Sequence, residues 1–391
     1  MSEPPSESEF SLELRQYLTD LFGAERTKRL ATALCKPGSY FYLRTNTLRI
    51  TKEALVNKLE EENITTTIPD SELDAVAIPI QPADSVTRYK HLVVADKAAS
   101  ENVLLGSHLF LPGVKRTDTF KQGSKVMVVN PRGHIVGCGV AQVASNKMHS
   151  KKYGIAVKIT EPYYLVPSIS ELDAYKAGLF YSQSLPAMLV APILDPKPQE
   201  TIIDFCAAPG GKTTHLAQIL KNQGRIIAVD RSLRRMEQLA SDTLRLGVTC
   251  VTPFVGRAME FVAKHPNLQA DRVLVDPPCT ALGVRPKLFD DTTIARINST
   301  ASYQRDILQS AVQALHPGGI LVYSTCTLTV EENEQNVKYL MDAHNMSLEF
   351  QSPFHGTIGL KGSPPLCQSV QRFYPDIHDL PGYFIAKLKK P

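Results

Sequence analysis

The stretch that most constrains the fold is Asp204–Lys212, which reads DFCAAPGGK. A short apolar run, Thr201–Ile203, precedes it, and a helical pattern over 213–221 follows. Strand, glycine turn and helix in this order open a doubly wound α/β domain, whose ligands bind at the carboxyl ends of the strands. The glycines allow a close backbone approach, and the helix N-terminus offers free N–H groups.

The spacing within this stretch narrows the ligand. A P-loop requires glycine six positions before its lysine, and Cys206 stands there, so the Walker motif is excluded. The next apolar strand, 225–229, ends in Asp230, 19 residues after Gly211. An acid at this offset can accept hydrogen bonds from a ribose diol. The pattern favours a nucleoside cofactor without a pyrophosphate, such as S-adenosylmethionine. A tight βα turn with a capping acid is the alternative.

Length and composition exclude several classes of protein. A chain of 391 residues predicts two or three domains, and it contains no apolar run long enough to cross a membrane. The net charge of +4 is too mild to establish a nucleic-acid partner. Seven cysteines without a C-x-x-C pair argue against zinc and against a disulfide framework. We therefore expect an intracellular, cytoplasmic protein that binds neither a metal nor a membrane.

The first 87 residues divide into two segments. Residues 1–12 are predicted to be disordered, and 13–87 to form a small α+β module. The module is predicted to contain a helical pattern over 13–34, a strand over 39–47, a helix over 51–61 and strand-like runs over 64–69 and 73–80. Arg44 lies near the end of the aromatic strand, where it either faces RNA or is a surface arginine.

Short strands separated by glycine turns follow over residues 88–161. This texture predicts a small β-barrel. Basic residues near its turns are Lys115, Arg116, Lys147, Lys151 and Lys152. They either belong to solvated loops or hold nucleic-acid phosphates.

Residues 162–391 alternate strands with helices after a linker over 162–170, which predicts a mostly parallel sheet. The predicted strands are 201–205, 225–229, 249–254, 271–275, 318–323 and 381–387, and the last of them suits an antiparallel edge strand. The predicted helices are 182–195, 213–221, 231–246, 256–264, 293–315 and 330–343.

Two cysteines follow the carboxyl ends of predicted strands. Asp276-Pro277-Pro278-Cys279 comes directly after the strand 271–275, and Cys326 follows the strand 318–323. Doubly wound topology places both loops on one rim with Gly210 and Asp230. A nucleoside cofactor, an acid and two thiols on one rim indicate methyl transfer that uses a thiol nucleophile.

The chemistry explains why these residue types belong together. Carbon 5 of cytosine is a poor nucleophile, and a thiolate that adds to carbon 6 turns the ring into an enamine. An acid near N3 and N4 supports the developing charge, and a base later removes the proton from carbon 5. The residues alone do not decide which cysteine attacks. A buried apolar role remains the expectation for Cys35, Cys138, Cys250 and Cys367, and packing for Cys206.

Several motifs in order resemble the Nop/Sun (RsmB/Nop) family of RNA cytosine-5 methyltransferases. The matching stretches are Gly178–Gln183, Asp204–Lys212, Asp276–Thr280, Gly283 with Arg285, Gln304-Arg305, Pro317–Thr327 and Gly382–Ala386. The resemblance covers about 162–391 and implies a Rossmann-like class I S-adenosylmethionine-dependent methyltransferase domain. Residues 88–161 resemble an inserted PUA domain, and the preceding module is RRM-like. This combination is similar to the sixth Sun-domain branch, which methylates cytosine 72 in the acceptor stem of certain tRNAs and whose PUA domain holds the CCA end.

The resemblance also assigns roles to single residues. It implies that Cys326 attacks carbon 6, that Cys279 assists product release, and that Asp276 contacts the cytosine edge close to the cofactor. The implied cofactor-binding residues are Cys206, Ala207, Ala208, Pro209, Gly210, Gly211, Lys212, Asp230, Arg235 and Asp276, with Lys212 reaching toward the reaction centre. The expected RNA contacts are Arg44, Lys115, Arg116, Lys147, Lys151, Lys152 and Arg285.

One position departs from the family pattern. Val255 stands where the family usually has an acid that contacts the adenine side of the cofactor. Loss of that hydrogen bond costs about 1–3 kcal/mol, which predicts affinity about 10- to 100-fold weaker. The expected partner is tRNA, bound by a monomer. The alternatives are an rRNA methyltransferase and a catalytically weak RNA-binding homologue. A thiol oxidoreductase is disfavoured, because the two cysteines stand 47 residues apart without a redox motif.

Overall fold

The computed structural model describes residues 4–69, 73–83, 86–150, 153–360 and 369–391. Its N-terminal elements are β1 (Glu9–Phe10), α1 (Leu12–Phe22), α2 (Ala24–Cys35), β2 (Tyr40–Thr45), α3 (Lys52–Glu61), β3 (Ala75–Pro79) and β4 (Gln81–Pro82). The helical pattern over 13–34 is two helices, because Gly23 adopts a φ of 81° between them. No helix in these described ranges is long and apolar enough to cross a bilayer.

The predicted disorder of residues 1–12 is wrong for the part that the structure describes. Strand β1 pairs in parallel with Phe289–Asp290, far along the chain. Ser8 is fully buried, and its hydroxyl donates to the carbonyl oxygen of Lys287. Phe10 joins an apolar cluster with Leu14 and other side chains, so burial of this aromatic ring fixes the segment.

The second region contains β5 (His91–Ala95), α4 (Lys97–Leu104), β6 (Leu109–Phe110), β7 (Val114–Thr117), β8 (Lys125–Val129), β9 (Ile135–Ala141), β10 (Ile155–Pro162) and β11 (Tyr164–Leu165). Six of these strands form one sheet in the order β6-β10-β9-β8-β5-β7. Its apolar core includes Leu288 and Phe289 from the C-terminal region. The ammonium of Lys97 also lies 2.7 Å from Asp290, so this region is docked firmly.

The third region contains the remaining elements. Its helices are α5 (Asp173–Lys176), α6 (Leu185–Leu194), α7 (Gly211–Ile219), α8 (Leu233–Leu246), α9 (Ala258–Lys264), α10 (Ile294–Ala314), α11 (Glu334–His344) and α12 (Pro375–His378). Its strands are β12 (Phe180–Ser182), β13 (Thr201–Phe205), β14 (Arg225–Asp230), β15 (Val251–Val255), β16 (Ala270–Val275), β17 (Phe289–Asp290), β18 (Leu315–Thr325), β19 (Ser347–Leu348), β20 (Thr357–Ile358), β21 (Val370–Phe373) and β22 (Tyr383–Lys389).

The main sheet of this region runs β15-β14-β13-β16-β18-β22-β21-β20. Strands β13 to β16 and β18 are parallel, and β22 is antiparallel to β18, as the sequence predicts. Placing the closing strand at the sheet edge is wrong, because β21 and β20 extend the sheet beyond it. Strand β21 escaped prediction because Arg372, in its middle, is a charged residue that is completely buried.

The predicted boundary at residue 162 also needs correction. Strand β12 pairs with β2, and β2 pairs with β3, so residues beyond 162 complete the N-terminal sheet. Phe180 is fully buried among Leu43, Leu55 and Leu59. The strand predicted over 64–69 is only an isolated bridge between Thr67 and Ala77. The N-terminal module is thus built from two separate stretches of the chain.

Candidate active site

The two cysteines that follow neighbouring strands meet in space. Strands β16 and β18 are adjacent and parallel, so the loops that follow them lie side by side. The sulfur atoms of Cys279 and Cys326 are 3.3 Å apart, and both are free thiols that are partly exposed. The prediction that both thiols share one rim of the sheet is confirmed.

The surroundings make the two thiols unequal. A hydrogen bond from Cys279 lowers the pKa of Cys326, and the cations Lys212 and Lys287 act in the same direction, against burial and Asp276. The same hydrogen bond, together with burial and the charge of Glu332, raises the pKa of Cys279 well above its ordinary value. Because the thiolate is the nucleophilic form of cysteine, this arrangement favours Cys326 as the nucleophile.

Asp276 and Lys212 form an ion pair beside the thiols. The Nζ atom of Lys212 lies 2.6 Å from Oδ2 of Asp276. The other carboxylate oxygen accepts from Ser324 at 2.8 Å and lies 3.3 Å from the hydroxyl of Tyr383. Burial disfavours the charge on Lys212, but Asp276 and Tyr383 outweigh it and raise the pKa of the amine above its usual value. Lys212 is therefore held in its protonated form.

A cleft of about 420 Å³ lies at the ends of β14 and β15. It is lined by Cys206, Asp230 and Arg235 of the predicted cofactor residues. Its other walls include Gly256, Pro278 and Tyr303. An acid for a ribose diol and flat apolar walls for a base suit an adenosyl group. Tyr303 also lines this cleft and was not predicted, although it directly precedes the Gln304-Arg305 motif.

A second cleft, of about 580 Å³, lies on the other side of the cofactor loop. Its lining comprises Cys206–Pro209, Gly211, Lys212 and Asp276, together with Asp204 and residues 181–183. Except for Gly210, the predicted cofactor residues therefore divide between the two clefts, which share Cys206, and the ion pair lies on the second. Burial raises the pKa of Asp204 to about 7, although the hydroxyl of Thr213 donates to it at 2.6 Å.

Internal contacts fix the shape of the loop itself. Gly210 has a φ of 112°, a conformation that glycine tolerates best, and it is the N-cap residue of α7. The guanidinium of Arg235 donates to the carbonyl oxygen of Ala208 and lies 3.7 Å from Asp230. The backbone N–H of Ala208 donates to Asp230 at 3.3 Å. Asp230 and Arg235 therefore shape the loop as well as line the cleft. The pKa of Cys206 is raised by burial, which fits the packing role expected for it.

Arg44 does not face RNA, and that prediction is wrong. Its side chain is 1% exposed, and its guanidinium donates to Gln183, to the carbonyl oxygen of Gly211 and to Thr214. Burial lowers the pKa of Arg44 to about 9. The residue ties the N-terminal module to the start of α7, where three acceptors make burial of the charge tolerable.

The predicted RNA contact of Arg285 is also wrong. Its side chain is 4% exposed, and its guanidinium donates to the carbonyl oxygens of Lys36 and Pro37 and to Asp379. These three acceptors occupy the donors that a phosphate would need. Of the predicted basic patch, Lys115, Arg116 and Lys147 are exposed. Lys151 and Lys152 lie outside the described residues, as does Cys367.

Comparison with protein families gives two matches. Residues 191–389 match the family described as 16S rRNA methyltransferase RsmB/F, and residues 91–163 match the PUA domain. The first match spans more than half of the chain and contains Cys279, Cys326, Asp276, Lys212 and the cofactor loop. The PUA match corresponds to the region of the six-stranded sheet.

Individual proteins resemble the chain over nearly its whole length. The tRNA (cytosine(72)-C(5))-methyltransferase of Pyrococcus horikoshii is 42% identical, over 97% of each chain. Human NSUN6, which carries the same description, is 29% identical over 96% of this chain and 89% of its own. The crystal structure of NSun6 from Pyrococcus horikoshii with SFG, an S-adenosylmethionine analogue, superposes with a TM-score of 0.87 at 41% identity. That superposition covers 98% of this chain and 99% of the other.

Proposed function

We propose that this chain, which belongs to the RsmB/F family of RNA methyltransferases, methylates carbon 5 of cytosine 72 in the tRNA acceptor stem. The observation that carries the proposal is the paired thiol site inside a chain that resembles tRNA cytosine-72 enzymes from end to end. The fold of the relatives and the cleft lined by Asp230 and Tyr303 support S-adenosylmethionine as the cofactor.

The residues of the chain suit each step of this reaction. The Cys326 thiolate forms a bond to carbon 6, and the electrons of the 5,6 double bond become available at carbon 5. The Lys212 cation stabilises the negative charge that develops on the pyrimidine, and the Asp276 carboxylate orients the ring by accepting a hydrogen bond from the exocyclic amine. S-adenosylmethionine supplies a methyl group activated by a sulfonium. Removal of the carbon-5 proton then restores the double bond and expels the Cys326 thiolate.

Cys279 is suited to the release step because its protonation depends on Cys326. When Cys326 is the thiolate, Cys279 is the donor of the hydrogen bond between the two sulfurs, and this bond raises the pKa of Cys279. Once Cys326 is bonded to carbon, it is neutral and a poor acceptor, so the pKa of Cys279 falls. Cys279, which is partly exposed, can then release its own proton to solvent and, as the thiolate, accept the carbon-5 proton.

A groove lined in part by the PUA region adjoins the second cleft, which holds the ion pair of Lys212 and Asp276. The groove has a volume of about 1070 Å³, and Ser182 lines both it and the second cleft. His108 and Phe110 of the PUA region line it, as do Phe41 and Tyr175. Aromatic side chains along a groove suit stacking with unpaired bases. We therefore place the single-stranded CCA end in this groove, between the PUA domain and the RRM-like module.

The proposal is tested by methyl transfer from labelled S-adenosylmethionine to unmodified tRNA transcripts, with the product mapped to the nucleotide. We expect label at cytosine 72 and none in a transcript with uracil at that position. An rRNA substrate is the second candidate, favoured by the description of the matched family. Transfer to rRNA fragments but not to tRNA would select that candidate and reject the first.

The exposed basic residues Lys115, Arg116 and Lys147 predict strongly salt-dependent tRNA binding. Each phosphate contact steepens the dependence of log Kd on log salt by about 0.9. We expect the Lys115→Ala/Arg116→Ala variant to bind tRNA more weakly and with a slope shallower by about 1–2, measured by filter binding at several salt concentrations. The control is Lys338→Ala, which removes an exposed lysine of α11. An unchanged slope in the double variant would contradict a role of this patch.

Val255 predicts weak cofactor binding. Its side chain is 47% exposed at the end of β15, and the following residue, Gly256, lines the adenosyl cleft. We expect Val255→Asp to tighten S-adenosylmethionine binding about 10-fold by supplying an acceptor to the adenine amine. Calorimetric titration measures this. Met259→Asp, which adds the same charge at another exposed apolar position, is the control. Equal effects of both changes would indicate general electrostatics and reject the specific contact.

A further inference from the structure

Two consecutive buried residues contact the loops that carry the two cysteines. Glu332 and Asn333 lie immediately before α11, and each is fully buried. Glu332 contacts the loop of Cys279, and Asn333 contacts the loop of Cys326. Neither residue belongs to the motifs discussed above. Neither lines the two clefts on either side of the cofactor loop.

Glu332 holds the backbone on the C-terminal side of Cys279. Its Oε2 atom accepts a hydrogen bond from the backbone N–H of Thr280 at 2.9 Å. Its Oε1 atom accepts from the hydroxyl of Thr280 and, at 3.0 Å, from that of Thr329. No cation pairs with Glu332 among the described residues. Hydrogen bonds from these neutral donors therefore offset the cost of burying the side chain.

Gln304 extends this contact to the other side of Cys279. Its amide nitrogen donates to Oε2 of Glu332 at 3.0 Å and to the carbonyl oxygen of Pro278 at 3.0 Å. Its amide oxygen accepts from Asn336 at 2.8 Å, which fixes the orientation of the amide group. Both neighbours of Cys279 are therefore held by one buried pair of side chains.

Asn333 does the same for Cys326. Its amide oxygen accepts from the hydroxyl of Thr325 at 2.5 Å, and its amide nitrogen donates to the carbonyl oxygen of Thr327 at 3.1 Å. These are the residues immediately before and after Cys326. The hydroxyls of Thr280 and Thr327 lie 2.7 Å apart and join the two loops directly.

We infer that Glu332 and Asn333 are positioning residues that hold Cys279 and Cys326 in contact, one residue for each cysteine. This inference deepens the proposed function and rests on it, because the contact between Cys279 and Cys326 matters only if the two thiols act in methyl transfer. The thiol–thiol hydrogen bond exists only while both loops keep their places. Because one carboxylate and one carboxamide stand next to each other at the start of α11, the two loops share a single rigid support. The negative charge of Glu332 also opposes ionisation of Cys279, which keeps its proton available for donation to Cys326.

The test measures thiol reactivity in the full chain without RNA or cofactor. Iodoacetamide is applied at limiting concentration over a range of pH, and mass spectrometry gives the alkylation rate of each cysteine. In the unmodified chain we expect Cys326 to react about tenfold or more faster than Cys279 near neutral pH, because reactivity follows the thiolate fraction. In Glu332→Gln we expect that ratio to fall toward one. In Asn333→Ser we expect the rate at Cys326 to fall and its pH profile to move upward.

Glu331→Gln is the matched control, since this carboxylate accepts a hydrogen bond from Tyr17 and has the same charge one residue away. It should keep the ratio of the unmodified chain. Thr280→Val removes only the hydroxyl that joins Glu332 to Thr327, so it repeats the test even if Glu332→Gln fails to fold. An unchanged ratio in folded Glu332→Gln or, if that variant is unfolded, in Thr280→Val would overturn the inference. Because alkylation needs no RNA, this outcome is distinct from a failure to methylate tRNA.

Discussion

Cys279→Ala is expected to accumulate a covalent complex with tRNA, whereas Cys326→Ala is expected to form none. Without Cys279, the carbon-5 proton has no nearby base, so the bond between Cys326 and carbon 6 persists after methyl transfer. Without Cys326, that bond never forms, and methyl transfer should fall by about 10⁴-fold or more, as for loss of other catalytic nucleophiles. Denaturing gel electrophoresis with labelled tRNA separates the two results.

Controls separate these roles from general damage at the site. Cys250→Ala removes a partly exposed thiol away from the catalytic pair and should leave turnover and adduct formation unchanged. The double variant Cys279→Ala/Cys326→Ala should form no adduct. An adduct in Cys326→Ala and none in Cys279→Ala would reverse the assignment, and it would show that the contact between the sulfurs favours the other thiolate.

Glu334→Ala is expected to lower the free energy of unfolding by about 3–5 kcal/mol, because it leaves a buried guanidinium without its counter-ion. Arg372 and Glu334 are 0% and 1% exposed and form a bidentate ion pair. Arg372 also donates to the carbonyl oxygens of Leu328 and Thr329, shortly after Cys326. Urea denaturation followed by circular dichroism measures the loss.

Two comparisons show whether the loss comes from the unpaired charge. Glu334→Leu/Arg372→Met removes both charges and should recover a large part of the stability that Glu334→Ala loses, since apolar replacements of buried pairs are often tolerated. Asp342→Ala breaks an exposed ion pair with Lys338 on the same helix and should cost less than about 1 kcal/mol. Similar losses in Glu334→Ala and Asp342→Ala would mean that burial adds nothing to the Arg372 pair.

Most of the methyltransferase sheet follows from local patterns in the sequence. Strands such as 201–205 are short apolar runs bounded by glycine or acidic residues, and parallel strands buried on both faces read in this way. Strand β21 lacks that signature, because its central Arg372 is neutralised by Glu334, 38 residues away in sequence. The prediction for Arg44 was wrong for the same reason. Nothing near it in sequence reveals that Gly211 and Thr214 supply its acceptors.

Some features of the candidate active site were likewise predictable from the sequence, and others were not. The positions of Cys279, Cys326 and Asp230 after strand ends were predictable from topology, and the Cys279–Cys326 contact confirms the shared rim. The choice between the two thiols was not predictable from spacing, because it depends on Lys212, Lys287 and Glu332 around them. The contacts of Asn333 were equally invisible, since they join residues that only the packing of α11 brings together.

Strand β12 joins the first stretch of the N-terminal module to the rest of the fold. Three residue pairs join β12 to β2, and Phe180 is sealed between the two stretches that form this sheet. Moving the first of these stretches, which contains β2 and β3, away from the thiols would require breaking this pairing and exposing the ring to water. The separation between the groove and Cys326 is therefore set by the fold. With the CCA end in the groove, as proposed, this fixed distance would select the methylated nucleotide by its position relative to the end of the RNA.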